Sequence, residues 1–546
     1  MKSIRGNIVD IHKRRIFKGE VQFADGRITA VVPKWVEEDV YIAPGFVDAH
    51  VHIESSMLTP AGFSELVVPR GTVAVVTDPH EIANVLGVSG IEFMIEDSTK
   101  VPLKTFFGAP SCVPATPFET SGATVGPSDI EALMQRKDIW FLSEMMNYPG
   151  VVNDSEEVVA KLKSAIRQGK PIDGHAPGLK GAALDKYVSS GISTDHECAH
   201  LQEALDKLSL GMKIQIREGS AARNFEALQS LYPKYADHLM LCTDDSHPDE
   251  ILNHGHIDRL LRKGVNDFGL DVFDLLRSAS LVPVTHYNLP VGLLRVGDAA
   301  DFVVLNNLKD FEVVASYIEG EKVYDNSKGL AFSVPGSELP NRFVARMPEP
   351  EDLIIRMPAD DARVRVIEVE DGELLTGTYF WQPVLRKGAV IEASIQEDVL
   401  KMVVLNRYVA AQPSVGFVKN IGLKDGAIGG SIAHDSHNLI VVGTNDEDIL
   451  ALLKKLISSG GGIGWSARGE SEILALPIAG LMSPRSGKEV AEAYVALSGQ
   501  ARELGSSLKA PFMTLSFLSL LVIPSLKLGD QGLFDVDQFS FVSLFE

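Results

Sequence analysis

The chain has 546 residues, 45% hydrophobic and 23% charged, the balance of a soluble globular protein long enough for two to four domains. A formal net charge of -22 excludes the basic surface that a nucleic-acid backbone demands. Cys112, Cys198 and Cys242 lie far apart with no CxxC spacing, which excludes a disulfide framework and a cysteine zinc site and suits a reducing cytosol.

The opening run MKSIRGNIVDIHKRRIFKG has no continuous apolar core, so no signal peptide is expected. Short β-like runs alternate with turn signals such as ADGR up to Pro44. PGFVDAHVHIESSMLTP follows. On a strand, Asp48, His50 and His52 share one face, and Val47, Ala49, Val51 and Ile53 fill the other. From there short apolar runs alternate with helix-like segments such as SDIEALMQRK and EEVVAKLKSAIRQGK, the pattern of repeated βα units around a parallel sheet.

Eight strands are predicted: GFVDAHVHI, GTVAVVTDPHE, KTFFGAPSC, DIWFLSEMM, KPIDGHAP, GISTDHEC, MKIQIREGS and HLMLCTDDSHP. Almost every one ends in ionisable residues: His50 and His52, Asp78 and His80, Glu144, His175, His196, Arg217 and Asp244. In a (β/α)8 barrel that end is the catalytic face. The expected fold is therefore α/β, with such a barrel over residues 46–285. Residues 1–45 and 286–335, where VGLLRVGDAADFVVL is again β-like, are expected to meet as a small discontinuous β domain of sandwich type. Beyond a linker near SELPNRFVARMPEPEDL, residues 340–546 mix β runs with helices and predict a C-terminal α+β domain. SGGGIGW matches no phosphate loop and reads as a turn. PFMTLSFLSLLVIPSLKL is interrupted by Pro524 and reads as a buried core segment, not a membrane span.

Imidazole and carboxylate ligands suit zinc, manganese or iron(II). An HxH triplet alone is weak evidence. Joined by Glu144, His175, His196 and Asp244 at later strand ends, it makes a mouth that is costly without a metal to satisfy it.

The order of these residues, HxH on strand 1, a carboxylate on strand 4, histidines on strands 5 and 6 and aspartate on strand 8, resembles the amidohydrolase superfamily. The phrases TDPHEIANVLG, SCVPATPFETSGA, DGHAPGL, STDHE, CTDDSHP, AHDSHN and LPIAGLMSP are similar to the adenine deaminase family within it, and the resemblance runs along essentially the whole chain. It implies His50, His52, Glu144, His175, His196 and Asp244 as ligands of two divalent ions. Mn2+ is the expected metal, with Fe2+ or Zn2+ as alternatives. Glu144 stands where many superfamily members carry a carboxylated lysine and would bridge the ions. Asp244, favoured over the adjacent Asp245, would be both ligand and proton shuttle. The implied reaction is hydrolysis of adenine to hypoxanthine and ammonia in purine salvage, with a hydroxide shared by the ions attacking C6.

Some roles stay open. Glu119, Asp78, His80, Glu81 and Arg217 are candidates to protonate or hydrogen-bond the purine ring, or to support the ligands from behind. HAPG puts Gly178 where the adenosine-deaminase branch has a glutamate, which favours a binuclear site. His434, Asp435 and His437 of AHDSHN would complete the purine pocket, bind a further metal or form a hydrogen-bonded turn. Asp48 is expected to support the site and Glu54 to lie outside it. Another binuclear amidohydrolase acting on an amide or cyclic amide, of deacetylase or dihydroorotase type, is the alternative. The remaining expectations are a cytoplasmic homo-oligomer with a small-molecule substrate and no nucleic-acid or membrane partner.

Overall fold

The computed structural model describes residues 1–220 and 222–546. Eight short parallel strands form the barrel: β1 (Phe46–Val51), β2 (Thr72–Thr77), β3 (Lys104–Ala109), β4 (Ile139–Met145), β5 (Ile172–Gly174), β6 (Thr194–Asp195), β7 (Lys213–Arg217) and β8 (Leu239–Cys242). β1 to β5 are successive neighbours, and so are β6 to β8. The two arcs join at both seams. Ser193 N–H donates to the Ile172 carbonyl at 2.9 Å, and Asp244 N–H donates to the His50 carbonyl at 2.9 Å. β1, β2 and β8 are buried along their whole length, which is why TVAVVT and LMLC read as continuous apolar runs and not as alternating ones. Gly174 marks a close approach, since a Cβ there would meet the Thr194 carbonyl oxygen at 2.3 Å.

Tyr41–Pro44 runs parallel to Lys2–Asp10 and antiparallel to Phe302–Leu305. The segments before and after the barrel therefore share one eight-stranded sheet around Ile8, Val21, Phe23, Phe302 and Tyr317. A second eight-stranded sheet lies between residues 364 and 475. Helix Asp446–Ser458 covers it, with Asn445 capping its N-terminus and Ile449, Leu452, Leu453 and Leu456 buried against Val403, Leu405 and Val441. This C-terminal part sits on the barrel mouth, where Ser483 N–H donates to the Met57 carbonyl at 2.8 Å. Residues 459–461 form a turn ahead of strand Gly462–Ala467. The apolar run beginning at Pro511 folds into helix Pro511–Ser516 and turns whose Phe512, Leu515, Leu518 and Leu521 are buried. Among the described residues no helix is long and apolar enough to cross a membrane.

Candidate metal centre

The strand ends bring four imidazoles and two carboxylates into contact. His50 Nε2 and His52 Nε2 stand 3.2 Å apart, and both face Asp244 Oδ1, at 3.4 and 3.2 Å. Glu144 reaches two separate groups. Its Oε1 lies 3.5 Å from His52 Nε2, and its Oε2 lies 2.9 Å from His175 Nδ1 and 3.1 Å from His196 Nε2. All but His175 are buried.

These residues fit a metal. Ligands bound at about 2.1 Å in a tetrahedron stand about 3.4 Å apart, which is the spacing found here. His52 Nδ1 lies 3.1 Å from the Asp78 carbonyl and donates to it, which leaves Nε2 a free lone pair aimed at its neighbours. With His52 Nε2 a bare acceptor, the facing His50 Nε2 must either donate a proton to it or share a cation with it. The field agrees. Against the effect of burial, His175 and His196 hold Glu144 well below the usual carboxylate range, and Arg217 with His50 and His52 does the same for Asp244. Burial would lower His52 and His196, yet the surrounding carboxylates hold both well above the ordinary imidazole value. A field that draws protons onto these nitrogens draws a divalent cation into their place.

The neighbours orient the centre. Arg217 donates to Glu197 at 2.7 and 3.0 Å and also to Asp244, so its guanidinium is occupied by two carboxylates of the site. Glu197 Oε1 lies 3.3 Å from His196 Nε2 and 3.5 Å from His175 Nδ1. Sequence reasoning passed over Glu197. The signal was its position directly after His196 in STDHE, together with the acid missing at Gly178. Asp48 accepts from Thr243 N–H at 3.1 Å and from His256 Nε2 at 2.9 Å, and so ties β1 to the end of β8 beneath His50. His256 lies in a loop and offered no pattern. Asp245 turns aside to accept from the Ser55 hydroxyl, so Asp244 is the aspartate that faces the imidazoles. Glu54 is buried, with Oε1 accepting from Ile82 N–H at 3.2 Å, and it faces helix His80–Leu86.

A second cluster adjoins the first. His80 Nδ1 lies 3.1 Å from Asp78 Oδ2 and 3.4 Å from Glu144 Oε1, and its Nε2 lies 3.5 Å from Glu81 Oε1. Glu81 is gripped from the C-terminal part by His434 Nδ1 at 2.5 Å and by His437 Nε2. Ala433 N–H points at His437 Nδ1 at 3.3 Å, so the ring proton sits on Nε2 and is donated to Glu81. Glu81, His434 and His437 thus form a hydrogen-bonded link between the barrel and the C-terminal part. Glu119, in the loop after β3, is buried beside Asp435 and Ser436.

Comparison with known proteins agrees with this architecture. Residues 41–323 match the amidohydrolase family, and residues 373–540 match the adenine deaminase C-terminal domain. An adenine deaminase of Methanosarcina mazei is 52% identical over 554 residues, covering 100% of this chain and 100% of its own. One from Parabacteroides distasonis is 47% identical, covering 99% and 98%. One from Borreliella burgdorferi is 45% identical, covering 99% of each.

Proposed function

Because the chain belongs to the adenine deaminase family of metal-dependent amidohydrolases, we propose that it hydrolyses adenine to hypoxanthine and ammonia at the barrel mouth. The observation that carries this is Glu144, whose two oxygens face two different sets of imidazoles. His50, His52 and Asp244 would hold one divalent ion and His175 and His196 a second, with Glu144 touching both. Mn2+ is the first candidate, and Fe2+ or Zn2+ suit the same ligands. When bound, such ions supply a water acidic enough to act as nucleophile near neutral pH.

The chain's own residues do the rest. Asp244, held ionised beside Arg217, accepts the proton of the attacking water and passes it to the departing amine. The water oxygen adds to C6 as the adjacent ring nitrogen gains a proton, giving a tetrahedral carbon. The C6–N bond then breaks and the nitrogen leaves as ammonia. The remaining hydroxyl proton returns to the group that protonated the ring, leaving C6=O. Asp78 and Glu81 raise the buried His80 well above the ordinary imidazole value, which makes it the candidate donor to the ring nitrogen beside C6. Arg217 acts by holding Asp244 and Glu197, since both carboxylates occupy its donors.

The ligands alone would serve an amide or cyclic-amide hydrolase equally well. The C-terminal match and the full-length relatives favour adenine. We also place the enzyme in the cytoplasm, where three buried free thiols would stay reduced. Manganese- or iron-loaded protein should release ammonia from adenine and not from adenosine. Hydrolysis of a cyclic amide with no ammonia from adenine would overturn this reading.

A further inference from the structure

A purine held with C6 at the metal centre presents its remote edge to the surrounding walls. That edge carries an acceptor, N3, beside a donor, N9–H. We propose that Glu119 and Asp435 form the subsite that reads this edge, with Glu119 donating to N3 and Asp435 accepting from N9–H. The pair would select the free base over any 9-substituted form. This inference rests on the reading of adenine as substrate.

Both carboxyls are nearly sealed from water, at 6% and 4% exposure, yet among the described residues Glu119 Oε1 and Asp435 Oδ2 accept no hydrogen bond, and the Ser436 hydroxyl beside Glu119 is left unpaired with them. Buried polar atoms are almost always paired, so two neighbouring orphaned carboxyl oxygens point to a missing ligand. The segments that carry them are tied together. Thr120, next to Glu119, donates its N–H to Asp530 at 2.9 Å, and its carbonyl accepts from Asn438 Nδ2 at 3.0 Å. The loop after β3 is thereby pinned to the segment that carries Asp435.

The distance from the chemistry suits a purine. Asp435 lies within 4.8 Å of ligand-type atoms on His80 and Glu81, and His80 Nδ1 is 3.4 Å from the Glu144 carboxylate. One imidazole ring thus separates Asp435 from the centre. Their protonation also matches the edge. Burial, then the Asp435 charge, holds Glu119 well above its ordinary value, while burial lifts Asp435 to about 6. The pair can therefore divide the roles, the carboxyl that holds its proton more strongly donating and the other accepting, which is the complement of N3 and N9–H. A substituent on N9 removes the donated hydrogen and leaves the acceptor facing carbon.

The test starts with unmodified, metal-loaded enzyme and two competitors of adenine, 9-methyladenine and 3-deazaadenine. Each lacks one of the two contacts and should bind about tenfold or more weakly than adenine. Either one binding as tightly as adenine overturns the assignment. In Asp435→Ala the KM for adenine should rise about tenfold or more, with a smaller change in kcat and an unchanged metal content. The preference in kcat/KM for adenine over 9-methyladenine should collapse. An unchanged KM and preference at full metal content overturn the proposal. If Asp435→Ala does not fold, the competitor series decides alone. Ammonia release from adenine together with undiminished 9-methyladenine binding counts against this subsite only. No ammonia from adenine overturns the deaminase reading and the subsite with it.

Discussion

Replacing Glu81 by Gln tests whether a buried ion pair ties the C-terminal part to the barrel. Glu81, His434 and His437 are all buried, and Glu81 accepts from both imidazoles. Burial alone would lower the His434 imidazole, but the Glu81 carboxylate outweighs it and raises the group from 6.5 to about 9. A group whose folded value lies above its unfolded one contributes stability that is complete below the unfolded value. That stability is lost as pH rises through the folded value. For His434 the window runs from about 6.5 to about 9, and the rise is worth about 3 kcal/mol. Glu81→Gln removes the charge and with it the contribution. Urea unfolding of metal-loaded wild type and variant at pH 6, 7.5 and 9.5 would measure it. Asp173 and Lys527 also titrate near 7 and cancel in the difference between the two proteins. Glu54 at about 7 and Asp435 at about 6 are raised partly by the Glu81 charge, so His434→Gln serves as the control that isolates the imidazole. The wild-type advantage should be largest at pH 6 and about 3 kcal/mol smaller at pH 9.5. A pH-independent advantage would refute the ion pair.

Three other perturbations probe separate parts of the account. Glu144→Gln should reduce bound metal and lower turnover on the order of 100-fold or more, read by metal analysis and ammonia release. A fully active variant holding two ions would remove Glu144 from its bridging role. Asp48→Ala leaves His256 and Thr243 without their partner at the β1–β8 seam and should cost about 3–5 kcal/mol in chemical denaturation, and a loss below about 1 kcal/mol would contradict that role. Burial pushes Lys527 down to about 7, so between there and its ordinary value the unfolded chain keeps a proton that the folded chain has released. Stability should rise with pH across that window by at most about 1.4 kcal/mol per pH unit, and Lys527→Met should flatten the rise.

The barrel strands are legible because strands buried on both faces need unbroken apolar runs, as in Thr72–Thr77. The chemistry is legible because it stands where those runs stop. β5 and β6 are only three and two residues long, so His175 and His196 advertised them more than their strand residues did. What escaped notice acts through space without any period. Glu197 is an acid in a loop, and only its contacts with Arg217, His175 and His196 give it meaning. The grip of His434 on Glu81 joins residues 353 positions apart. In the sequence Glu54 leads away from the site, but the short helical turn Ile53–Ser56 folds it back against helix His80–Leu86.

The most direct test of the central claim is a metal titration of the apoprotein, following ammonia release from adenine at each addition of Mn2+. The two sets of ligands that meet at Glu144 predict activity that climbs until two equivalents are bound and stays level beyond. Full activity at one equivalent, or no ammonia at any loading, would contradict the account.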